Sequence, residues 1–129
     1  MKPTPAAVDF SRIVQVALVV SDVKRSIAFY RDVLGMKFLF EVPNMAFFDC
    51  GGIRLLLGLA GKPDQKSTGS VVYFKVDDIQ AAYALLRERG APFTGEPHFL
   101  APMADHDLWL ALFQDPDGNH IGLMSEVRK

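Results

Sequence analysis

The chain has 129 residues, half of them apolar, and its 14 basic and 15 acidic side chains leave a formal net charge of -1. That supplies one core of ordinary size, and therefore one domain over 1–129, but not two independent cores. A near-neutral balance without a Lys/Arg cluster gives no footprint for nucleic acid, and the apolar runs at 16–20 and 55–57 fall far short of the roughly 20 residues that span a bilayer.

The first ten residues hold two prolines and an acid, with no apolar stretch or small-residue cleavage site, so no secretion signal is read there. Residues 13–20 are rich in β-branched side chains and predict a strand. Ser21 and Asp22 follow as good helix N-caps. From Val23 the apolar residues Ile27, Tyr30 and Leu34 recur at helical spacing while Lys24, Arg25, Arg31 and Asp32 take the other face, and Gly35 supplies the stop. Short strands are predicted over 37–41, 45–49 and 53–58, the last two joined at Cys50-Gly51-Gly52. Cys50 is the single cysteine, which cannot form an internal disulfide; it is read as a partly buried thiol in a reducing, cytoplasmic setting. Residues 60–69 are polar and glycine-containing and read as a linker.

The same order then repeats. Residues 71–76 predict a strand, Asp77-Asp78 a cap, Ile79, Tyr83 and Leu86 a helix stripe, and Gly90 a stop. Strands are predicted over 91–94, 108–114 and 120–124, with the turn Asp115-Pro116-Asp117-Gly118-Asn119 before the last. An offset of 56 residues lays Val76-Asp77-Asp78-Ile79 on Val20-Ser21-Asp22-Val23, cap on cap. Each half is thus β-α-β-β-β, with module one at about 11–59 and module two at about 70–126. Neither half covers its apolar sheet face alone, so one fused sheet is expected.

The segments at 16–23 and 29–36, with Phe113-Gln114-Asp115-Pro116-Asp117-Gly118-Asn119, resemble the opening and closing signatures of the vicinal oxygen chelate superfamily, which includes glyoxalases, bleomycin-resistance proteins and extradiol dioxygenases. The resemblance covers about residues 11–126. It implies an α+β fold in which two tandem βαβββ modules form a cupped, partly open mixed β-sheet with helices on the outer face. It also implies a homodimer. In the superfamily's metalloenzymes four side chains on the first and last strands of each half converge on a metal, and those positions fall here on Gln15, Leu56, Val71 and Gly122. One neutral carboxamide, two hydrocarbons and a glycine do not make the set of about three donors that a divalent ion needs, so no metal and no cofactor are expected. Gly122 is expected to leave room at the floor of an apolar cup.

The other candidates follow from strand alternation. Tyr73, in register with Ala17, is expected to face the cup with Gln15 and to offer a hydrogen bond. Trp109 and Ala111 are read as a stacking wall and a gap toward the ligand, with Leu108, Leu110 and Leu112 on the other face; a purely structural Trp109 is an equal reading. His120 is expected on an outer face, away from Gly122. His98 and His106 flank 99–105, read as a loop over the cup mouth, and His106 is a candidate acid or base. Asp105 and Asp107 read as loop solvation.

Two functional classes follow. The first is a binder of a small aromatic or amphipathic molecule, resembling the bleomycin-resistance branch. The second is a metal-dependent lyase, epimerase or dioxygenase with a nonstandard site using Gln15 and His106, or metal-free acid–base work by His106 and Tyr73. An interaction module without a pocket is a third reading.

Overall fold

The computed structural model describes residues 8, 10–61 and 69–129; most of the predicted linker and of the N-terminal segment lies outside these residues. The chain runs β1 (Gln15–Val20), α1 (Val23–Ala28), β2 (Lys37–Val42), β3 (Met45–Cys50), β4 (Ile53–Leu59), β5 (Val72–Lys75), α2 (Ile79–Glu88), β6 (His98–Pro102), β7 (His106–Gln114) and β8 (His120–Arg128). The repeated cap is real in both halves: Asp22 Oδ1 accepts from Arg25 N–H and Asp78 Oδ1 from Ala81 N–H, each at 3.1 Å. Each caps an N–H that has no partner within its own helix.

Helix α1 continues into a π-helical turn, Phe29–Val33, closed by Leu34 N–H donating to Phe29 O at 3.1 Å. A widened turn of this kind lets neighbours in sequence bury in different directions. The Tyr30 ring packs 5.9 Å from Phe48 of β3, whereas the Phe29 ring packs 6.3 Å from Phe113 of β7. The helix therefore touches both modules.

The strands form two four-stranded mixed sheets, ordered β1-β4-β3-β2 and β5-β8-β7-β6, rather than one fused sheet. In each, the first strand lies parallel to the last and the other pairings are antiparallel. The α+β class and the tandem open modules stand as expected. What differs is how the modules join: through a helix and a turn instead of through strands. Tyr30 donates its hydroxyl to Asp115 Oδ2 at 2.8 Å, Asn119 Nδ2 donates to Val19 O at 3.0 Å, and Ser21 N–H donates to Asp117 Oδ1 at 2.9 Å. Gly118, at φ +80°, lets the 115–119 turn close tightly enough to present these groups. One contiguous core results, with Leu18, Val20, Phe48 and Leu57 from the first module meeting Phe113, Ile121 and Leu123 from the second.

Module two departs from its predicted strands. Residues 91–94 make only an isolated bridge, Phe93 to Phe113, because Pro92 has no N–H to donate. The edge strand is instead His98–Pro102, which overlaps the 99–105 segment read as a loop over the cup mouth, and its terminal proline is tolerated at an edge. Strand β8 runs four residues beyond its predicted end, pairing through Arg128 with His106. Among the described residues no helix is long and apolar enough to cross a membrane.

Candidate functional site

Pleating sends alternate residues to opposite faces. In the first sheet Val16, Leu18 and Val20 of β1, Leu55 and Leu57 of β4, and Ala46 and Phe48 of β3 enter the core. The opposite, open face is read off the registers. One row runs Gln15, Arg54, Asp49, Lys37, and the next runs Ala17, Leu56, Phe47, Phe40. Phe40 and Phe47 stack with centroids 4.6 Å apart and planes 25° apart. The Arg54 guanidinium lies 5.8 Å and 6.0 Å from their centroids, within the range of a cation–π interaction. Asp49 stands directly across from Arg54, but its Oδ1 accepts from Gly52 N–H at 3.3 Å. Among the described residues Arg54 has no ion pair. The result is a solvent-facing aromatic shelf beside a guanidinium that has no ion pair among the described residues and shares its row with Gln15.

In the second sheet the open face carries Tyr73, Gly122 and Leu112 in one row and Lys75, Met124, Leu110 and His98 in the next. The floor at Gly122 is not vacant. A Cβ placed there would overlap Tyr73 Cδ1 and Cε1, because the tyrosine ring lies on the glycine. Gly122 thus serves as a seat for Tyr73, correcting the expectation of free space. Substituting Gly122→Ala is expected to swing the exposed ring to another rotamer at a net cost of about 1 kcal/mol. A large change in the Tyr73 ring NMR resonances with a small shift in the unfolding midpoint checks this; unchanged ring resonances would contradict the seat.

Several sequence readings are corrected by the same registers. Trp109 and Ala111 do not face Gly122 and Tyr73. Ala111 is fully buried in the core, Trp109 packs against that core, and Leu108, Leu110 and Leu112 take the open face instead. Trp109 borders a recess at the start of α2 with Asp77, Asp78 and Ile79. His120 is two residues from Gly122 and therefore shares its face, where it is exposed. Val71 lies one residue before β5, partly buried.

His106 is across from Arg128 at the far end of β7, and its Nδ1 lies 2.6 Å from Asp105 Oδ1. That hydrogen bond holds the Asp105 carboxyl below its ordinary range. From Leu112, which shares the Tyr73 row across Gly122, to His106 is six residues along one strand, or ~20 Å. Tyr73 and His106 are thus not brought together for acid–base work. Gln15 and His106, the other proposed pair, stand in different sheets.

The model of the Glyoxalase/Bleomycin resistance protein/Dioxygenase superfamily matches residues 12–123 of this chain. The chain belongs to that superfamily. It is 30% identical over 127 residues to the uncharacterized protein YraH of Bacillus subtilis (strain 168), covering 85% of this chain and 94% of that one. Among solved structures it is similar to a superfamily member from Sphaerobacter thermophilus, at 28% identity and a TM-score of 0.75 over 91% of this chain and 98% of that one. It is also similar to a lactoylglutathione lyase from Agrobacterium tumefaciens, at 25% identity and a TM-score of 0.70 over 89% and 93%.

The metal site that the superfamily implies does not fit the residues present. Gln15, Leu56, Val71 and Gly122 offer one neutral oxygen donor, and the Tyr73 ring occupies the space over Gly122. Among the described residues no group of three or more His, Cys, Asp or Glu side chains is disposed to hold a metal ion. The side chains that the sequence reading passed over are Phe40, Phe47 and Arg54. The two-residue Gly51-Gly52 turn was the available signal for Phe47 and Arg54, since it sets Cys50 opposite Ile53 and hence Asp49 opposite Arg54 and Phe47 opposite Leu56.

Proposed function

We propose that this superfamily member binds a small aromatic molecule bearing an anionic group, on the open face of the first sheet. The supporting observation is the Phe40–Phe47 stack with Arg54 over it and no carboxylate paired to the guanidinium among the described residues. A planar apolar ligand covers the exposed ring surface, while its anion takes the charge-assisted hydrogen bonds of Arg54 and Gln15 orients a polar substituent. No step of bond making is part of this reading.

The binding cup is completed by a second copy. The open face of the second sheet has a recess of about 140 Å³ between Tyr73, Lys75, Leu108, Met124 and Glu126, about the size that takes up a single benzene ring and too small to enclose a two-ring ligand by itself. Phe40 and Met45 on one sheet and Tyr73 on the other stay exposed, and facing them across a two-fold axis both covers them and walls the ligand in. The lone, partly buried Cys50 suits a cytoplasmic protein.

Titration calorimetry with 2-naphthoate, its neutral amide and cyclohexanecarboxylate tests the reading, with sedimentation equilibrium on the same sample. Naphthoate is expected to bind at least about tenfold more tightly than either relative, since each lacks one of the two recognised features. The sedimenting mass is expected at twice the chain's 14.3 kDa. Equal affinity for all three compounds would remove the assignment of the shelf.

A further inference from the structure

We propose a second binding site, on the opposite side of the second sheet from Tyr73 and Gly122, for a medium-chain aliphatic carboxylate. The site is a cavity of about 260 Å³ in the seam between the modules. Its floor is the core-facing side of the second sheet, Phe74 and Leu123, and its walls are Leu85 and Leu86 of α2 and Leu34 and Met36 after the π-helical turn. A strand sends alternate side chains to opposite faces, so Phe74 and Leu123 place this cavity away from the open face that carries Tyr73 and Gly122.

One charged side chain lines it, Arg89, which follows the last residue of α2. Arg89 is exposed and crosses between modules: its Nη1 donates to Val33 O at 3.4 Å and lies 3.8 Å from the position a Cβ on Gly35 would take. That single long hydrogen bond leaves most of its donors for a ligand, and among the described residues no carboxylate pairs with it. The carbonyl end of α2 lies alongside and disfavours an anion, so the guanidinium itself must hold the carboxylate. Arg89 is therefore the discriminating residue.

Size fixes the tail. An apolar cavity of roughly 150 Å³ takes up benzene, which scales here to a chain of roughly eight to ten carbons. A flexible alkyl chain suits a lining of Leu, Met and Phe side chains without a stacked ring pair, in contrast to the Phe40–Phe47 shelf. Because the walls come from both modules, an occupant also ties them together and raises the unfolding temperature.

Methyl-labelled full-length protein titrated with sodium octanoate, and separately with 1-octanol, provides the test. Octanoate is expected to shift the Leu34, Met36, Leu85 and Leu86 methyl resonances while leaving those of Leu56, Leu112 and Met124 on the open faces in place. Arg89→Gln, an exposed position that keeps the fold, is expected to raise the octanoate Kd about tenfold and to leave octanol binding within about twofold. Ala82→Met, which fills the cavity, is expected to abolish both. Shifts confined to the open-face methyls, no shift at millimolar octanoate, or an Arg89→Gln protein that binds octanoate as the parent does would each overturn the proposal. Naphthoate reporting at Leu56 but not Leu34 keeps the outcome separate from that of the aromatic shelf.

Discussion

Replacing Asp115 with alanine is expected to destabilise the protein by about 3–5 kcal/mol, with a fall in the unfolding midpoint of roughly 10 °C or more. The carboxylate is buried and accepts at both oxygens. Oδ1 takes the backbone N–H groups of Asp117 and Asn119 at 2.9 and 2.8 Å, and Oδ2 takes Asn119 Nδ2 and the Tyr30 hydroxyl, each at 2.8 Å. Alanine would leave a fully buried phenol and the Asn119 N–H without acceptors while loosening the turn that ties module two to α1. Burial first, and then the negative charge of Asp115, push the Tyr30 hydroxyl above its ordinary range, which keeps it a donor to the carboxylate at neutral pH. Tyr30→Phe removes only one of four bonds to the carboxylate and is expected to cost about 1–2 kcal/mol. Asp115→Asn falls between the two, because the phenol can rotate to accept from the new amide while Asn119 Nδ2 then faces a donor. Chemical denaturation of the three variants checks the order. An alanine variant within 1 kcal/mol of the parent protein would show that the turn does not hold the modules together.

The second large effect concerns binding. Arg54→Gln is expected to weaken 2-naphthoate roughly ten- to hundredfold, since the charge-assisted hydrogen bonds to its carboxylate are lost. Stability should change by less than about 1 kcal/mol, because Arg54 is exposed and no ion pair is broken among the described residues. The neutral naphthamide should respond little. Parallel calorimetry on the parent protein and the variant distinguishes a charge effect from a general loss of the shelf: an equal loss for acid and amide would contradict the role given to the guanidinium.

The helices and their caps were legible because each rests on local chemistry. Asp22 and Asp78 each precede an apolar stripe by one residue, and a cap needs no tertiary partner to be recognised. Pairing β1 with β4 and β5 with β8, by contrast, brings together segments tens of residues apart, which periodicity does not report. The modules were expected to share a sheet because each has an apolar face to cover. The structure covers those faces with the helices and the opposite module's core residues, and the adjacent burial of Phe29 and Tyr30 in a π-helical turn is the local sign of that arrangement.

The candidate site was legible only in part, for two different reasons. Gln15, Ala17, Leu56, Tyr73 and Gly122 come to the open faces because alternation carries from strand to strand once the repeat offset is known. The face of β7 was misjudged because Trp109-Ala111-Phe113 and Leu108-Leu110-Leu112 are both apolar, so hydrophobicity does not say which meets a helix. Only the pairing of Leu112 with Gly122 does. His120 required nothing beyond counting two residues to Gly122. Phe40 reaches Phe47 through a bulge between Phe38 and Phe40, and an extra residue in one strand has no reliable mark in the sequence. The ring over Gly122 is likewise a tertiary fact: a glycine on a strand signals a close approach, but not what approaches.

The proposed function requires the ligand to lie on the aromatic shelf. Isotope-filtered NOE spectra of the protein with bound 2-naphthoate address this most directly. Cross-peaks from the naphthyl protons to the Phe40 and Phe47 rings, and to Leu56, are the predicted result. Cross-peaks instead to Trp109 or to the α2 side chains, with none to the two stacked phenylalanines, would contradict it.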